Sequence, residues 1–95
     1  MRKYELNPHN GRKSFYGKAM VELNEKGTKK LYSYDTLVLS IDADKNLHRH
    51  WDTDSPTTTT MTHIKSFIAE ELGEDMGEKF NASRYRALEL EDDIY

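Results

Sequence analysis

The residues with most chemistry to offer are four histidines, a threonine run and scattered carboxylates. His48-x-His50-x-Asp52 sets three metal-type donors at alternate positions. One ion needs three or four donors converging, with His63 or His9 as the further ligand. Same-face neighbours on a strand stand roughly 7 Å apart at a rise of about 3.3 Å per residue. That is too far for two imidazoles to meet one ion easily, so surface histidines are expected and no metal. Thr57 to Thr60 offer hydroxyls and free N–H groups at a helix start, a setting that can hold phosphate. Asp52 and Asp54 repel an anion there, so a capping cluster is expected instead.

Ser, His and Asp occur without the arrangement of a nucleophilic triad. There is no glycine-rich phosphate loop. The chain has no cysteine, which removes thiol nucleophiles, Cys-type zinc sites and disulfides. The sequence therefore predicts a binding protein, with neither catalysis nor a cofactor.

Two surfaces are candidates for the binding. Tyr16, Lys18, Tyr32 and Tyr34, with Arg12 and Lys13, would form an aromatic and basic patch able to stack bases and meet phosphates. His48 and His50 are expected on the same sheet face. The plainer account is that strand tyrosines pair across the sheet. The second surface is acidic. Residues 1–50 carry a balance of +4 and residues 51–95 one of −7, within a net charge of −3. Glu70, Glu71, Glu74 and Asp75 lie in the acidic half. They would attract a basic partner, although a solvated helix face and tail explain them as simply.

These side chains need elements to hold them. Residues 1–13 contain Asn7-Pro8-His9-Asn10-Gly11 and read as a loose arm. Residues 14–23 read as a strand with Phe15, Ala19, Val21 and Leu23 on one face. Asn24 to Gly27 form a turn. A strand from about Leu31 to Ile41 sets Leu37, Leu39 and Ile41 inward and Tyr32, Tyr34, Thr36 and Val38 outward. After the loop Asp42 to Asn46 comes a third strand, Leu47 to Asp52, with Leu47 and Trp51 inward. Ser55-Pro56 signals a helix start, and the threonines move it inward with a threonine as cap. Met61, Ile64, Phe67, Ile68 and Leu72 then form one apolar stripe, with Gly73 as stop.

The expected fold is α+β: a three-stranded antiparallel meander packed on one amphipathic helix. The domain spans residues 14–73, followed by an acidic segment, 74–95, with room for a short second helix over about 83–90. One helix covers one sheet face, which leaves the tyrosine-bearing face for a partner. No apolar run approaches the roughly 18 residues of a membrane span, and the N-terminus lacks the apolar stretch of a signal peptide. A cytoplasmic protein without membrane contact is expected.

Three segments carry a resemblance. They are Lys13-Ser14-Phe15-Tyr16-Gly17-Lys18-Ala19, Leu31-Tyr32-Ser33-Tyr34-Asp35-Thr36, and Thr59-Thr60-Met61-Thr62-His63-Ile64 with Phe67. Together they resemble a family of short uncharacterised proteins of bacteriophages and prophages of Gram-positive bacteria, over roughly residues 12–68. Asp35 stands where Asn is usual, Thr62 where Arg is usual, and Ser55 to Thr58 lengthen the helix start. The resemblance implies a phage context in the host cytoplasm. By analogy it implies a protein that inhibits a host defence or nucleic-acid-processing enzyme, an anti-CRISPR activity included. The alternatives are a small nucleic-acid-binding accessory and an oligomerisation module using the same sheet face.

Overall fold

In a computed structural model, residues 2–6, 17–51 and 56–91 are described. Five strands, β1 (Arg2–Glu5), β2 (Ala19–Leu23), β3 (Lys29–Ser33), β4 (Thr36–Ile41) and β5 (Leu47–Arg49), precede three helices. The helices are α1 (Thr58–Leu72), α2 (Glu74–Lys79) and α3 (Ala82–Ala87). The sheet is an antiparallel meander in the order β1-β2-β3-β4-β5. The α+β class agrees with expectation. Among the described residues the strand count is five rather than three.

Two local features account for the difference. The segment from Leu31 to Ile41 is two strands joined by a tight turn at Tyr34-Asp35. Ser33 pairs with Thr36, and Tyr34 and Asp35 take φ of 51° and 69°. Two positive φ values are what a two-residue type I′ hairpin requires. Asp tolerates that region well, whereas Tyr does not advertise it. No Gly or Asn marks the turn, so the run looks like one strand. The arm supplies the other added strand. Arg2 pairs with Leu23 and Tyr4 with Val21. Its charged sequence hides the edge strand, yet Leu6 just beyond it is almost fully buried.

The turn also resets which way side chains point. Leu31 faces Leu39 but Tyr32 faces Leu37, so Val38 is the extra residue of a bulge. Val38 is in the core, not on the outward face as parity predicted, and Leu37 is only half-buried. Ala19, Val21, Leu31, Leu39 and Ile41 meet Ile64, Phe67 and Ile68 of α1 in one cluster. Met61, Leu72, Leu47 and Trp51 pack at its margin. Leu23 is half-buried, and Phe15 lies outside the described residues.

Helix α1 is capped as the threonines implied. The Thr60 N–H donates to Thr57 Oγ1 at 3.2 Å. Gly73 ends it with φ of 106°, its N–H donating to the Ala69 carbonyl. The predicted cap residue Ser55, with Asp52 and Asp54, falls outside the described residues. Helix α2 then doubles back tightly. A Cβ on Gly77 would lie 2.7 Å from Ala69 Cβ and from the Lys65 carbonyl oxygen. Phe80 and Tyr85 fix the remaining chain to the core. No described helix is long and apolar enough to cross a membrane.

Candidate functional site

The segments that carry the resemblance meet at the β3–β4 turn. The Tyr34 N–H donates to the Lys18 carbonyl at 2.9 Å, and the Lys18 ammonium lies 5.8 Å from the Tyr34 ring centre. The Tyr34 ring is 5.7 Å from that of His63 on α1. Beneath it Ser33 Oγ is hydrogen-bonded to Thr60 Oγ1 at 3.0 Å and to His63 Nδ1 at 2.9 Å. Beside this network opens a cleft of about 380 Å³, lined by Ser33, Tyr34, Thr36, Val38, Trp51 and the threonines at the start of α1.

A serine hydroxyl against an imidazole nitrogen is the contact a nucleophile and its base make. Here it is closed. Ser33 is 2% exposed and His63 1%, and the same hydroxyl also meets Thr60. The network ties the hairpin to α1 and satisfies polar groups that would otherwise be costly to bury. Spacing could not reveal it, since residues 33, 60 and 63 meet only through packing. Their one common signal in the sequence is that the segments carrying the resemblance contain all three.

The aromatic patch is divided. Ser33 and Leu31 face the helices, so the intervening Tyr32 points to the opposite sheet face. There Lys3 lies 4.9 Å from its ring centre, and burial raises its phenol pKa. Tyr34, in the turn, is half-exposed on the helix side with Lys18. Tyr16 falls outside the described residues. Tyr32 and Tyr34 therefore do not share one surface.

His48 and His50 share a face, but the chain's own C-terminal end engages both. His48 Nε2 is 2.8 Å from Asp42 Oδ2, and Nδ1 is 2.5 Å from Glu91 Oε2. His50 Nε2 is 2.8 Å from Ser40 Oγ, and Nδ1 is 3.2 Å from the Glu91 carbonyl oxygen. Burial lowers the His50 pKa, helped by the His48 charge, against a raising effect of Glu91. Burial also opposes charge on His48, but its bonds to Asp42 and Glu91 prevail and its pKa is raised. Asp42 is held down to about 2, chiefly by His48 and then by the Asn46 N–H. Among the described residues, no three His, Asp or Glu side chains converge to hold a metal ion.

The acidic residues also separate. Glu71 is turned inward, its side chain 6% exposed, with Lys29 at 2.8 Å and Lys45 at 3.7 Å. Glu70 at the end of α1, and Glu74, Asp75 and Glu78 on α2, are exposed. None of these four forms a salt bridge within 4 Å among the described residues. Glu74 and Glu78 border a second cleft of about 360 Å³ between α1 and α2.

No curated protein and no solved structure gives a significant match to this chain. A family profile does match, over residues 4–83, which takes in nearly the whole sheet, α1, α2 and the β3–β4 turn. The chain belongs to that group, described as a family of unknown function (DUF8033).

Proposed function

We propose that this chain is a non-catalytic binding protein that engages a basic partner protein through the acidic end of its helical hairpin. The observation that carries the reading is Glu70, Glu74, Asp75 and Glu78. They are exposed on one hairpin and form no close salt bridge among the described residues, while Glu71 between them is consumed by lysines. The close α1–α2 contact at Gly77 makes the hairpin a stiff carrier for that charge. Carboxylates fixed this way complement the Lys/Arg grooves with which proteins hold nucleic acid, and long-range attraction speeds the encounter. A host defence or nucleic-acid-processing enzyme in the host cytoplasm, a CRISPR nuclease included, is the partner class. The phage-type resemblance supports that setting by analogy alone.

Affinity capture from host lysate with wild type and an E70K/E74K/D75K variant tests this reading. Wild type should retain a basic, nucleic-acid-handling protein that the variant releases. No such protein, or equal retention by both, refutes the proposal.

One observation favours a second reading, direct nucleic-acid binding. Lys3 lies over Tyr32 and Lys18 over Tyr34, each a cation beside a ring that a base can stack on. The two pairs sit on different sides of the sheet, which weakens it as one surface. It predicts salt-sensitive binding of a single-stranded oligonucleotide that weakens in Y32A and K18A. No gel shift at low salt removes it.

A further inference from the structure

The C-terminal segment is held to the sheet by polar contacts in series. Tyr85 donates its hydroxyl to the Val38 carbonyl at 2.7 Å. Arg49, 8% exposed, donates to the carbonyls of Arg86 and Leu88, with its guanidinium 5.3 Å from the Tyr85 ring centre. Leu90 forms a parallel bridge to Arg49, and the Glu91 N–H donates to the Arg49 carbonyl at 2.8 Å. Residues 88–91 thus lie along β5 as a strap over its edge. The family match ends at residue 83, before this strap begins.

The last link differs in kind from the others. Ionised carboxylates only accept hydrogen bonds. His48 has a carboxylate oxygen against each ring nitrogen, Asp42 from the β4–β5 loop and Glu91 from the strap. Both contacts are hydrogen bonds only if both nitrogens carry protons, so the geometry is that of an imidazolium. A neutral imidazole serves one carboxylate and turns a lone pair on the other. His50, beside it, has the opposite pattern. Its Nδ1–H donates to the Glu91 carbonyl while Nε2 accepts from the Ser40 hydroxyl, the bonding of a neutral ring. Lys30 of β3 acts on His50 and disfavours its protonation. Among the described residues, a carboxylate oxygen meets both ring nitrogens of His48, whereas His50 meets a hydroxyl and a backbone carbonyl.

We infer that residues 88–91 are a proton-sensitive strap, clamped over the β5 edge while His48 is charged and loosened when it is neutral. A histidine with a raised pKa stabilises fully below its unfolded value of about 6.5, and loses that effect as pH rises through the folded value. Asp42 sets the acid limit, its contribution failing as pH falls through about 2. Between those limits the strap shields the Arg49 backbone from pairing with any other strand. Above them the Arg49 backbone at the β5 edge loses that cover.

Hydrogen exchange followed by NMR tests the strap directly. The readout is the protection factor of the Glu91 amide at about pH 6 and about pH 8.5, on either side of an ordinary histidine pKa. Leu31, in the buried core of β3, serves as reference. In wild type, Glu91 protection should fall roughly threefold or more across that range while Leu31 protection stays level. In H48Q, and separately in E91Q, protection of the residue-91 amide should be low and independent of pH. The inference is overturned if wild-type protection is equal at both pH values, if Leu31 falls in parallel, or if the pH dependence survives in either variant.

Discussion

Two histidine clusters on opposite faces of one sheet use the same side chain in opposite ways. At the β3–β4 turn, His63 is sealed between Ser33, Thr60 and the Tyr34 ring, among hydroxyls. At the β5 edge, His48 is partly exposed between two carboxylates. The first cluster is a buried lock within the family-matched region, and the second is an ionic clasp that reaches beyond it. Burial decides which is which. A site closed to water needs every polar group paired, whereas a half-open site tolerates an ion pair and responds to protons.

Substitutions can break that contrast, and the lock should suffer most. His63→Ala should cost about 2–4 kcal/mol, from the cavity left and the Ser33 partner lost. Urea unfolding measures it, and a loss below about 0.5 kcal/mol would mean the lock carries little of the fold. Ser33→Ala removes the shared hydroxyl but leaves the helix packed, so about 1–2 kcal/mol is expected. The clasp should behave differently. His48→Gln should cost at most about 1 kcal/mol at pH 6 and almost nothing at pH 8.5. The sign follows from the raised pKa, since charge on His48 stabilises only while it is present. A cost that stays constant with pH would make His48 a packing residue like His63. Smallest of all, E70K/E74K/D75K should change stability by no more than about 0.5 kcal/mol, since these residues are exposed and form no close salt bridge among the described residues. A larger loss would show that the acidic hairpin is structural and would weaken its place as a contact surface.

Some of these features are legible in the residues alone. The α1 stripe is, because Ile64, Phe67 and Ile68 recur at helical spacing and only one face satisfies them. The threonine cap and the Gly73 stop are as well, since both are local devices that act within a few residues. The β3–β4 turn is not. Tyr34-Asp35 lacks the usual turn residues, and positive φ at Tyr34 is held by its contacts with Lys18 and His63 rather than by its own preference. Without that turn, parity misplaces Val38 and puts Tyr32 and Tyr34 on one face. The β1 strand is also hidden, because an exposed edge strand needs no apolar alternation to be paired.

By itself the sequence determined an α+β chain with one amphipathic helix, no cysteine chemistry and charge divided between its halves. Those properties follow from residue type and short-range spacing. Tertiary structure alone decided which histidine is sealed and which is clasped. It also decided which glutamate is consumed by lysines, and where the C-terminal residues lie. Each depends on residues 27 to 43 positions apart in the chain that meet only once the sheet has closed.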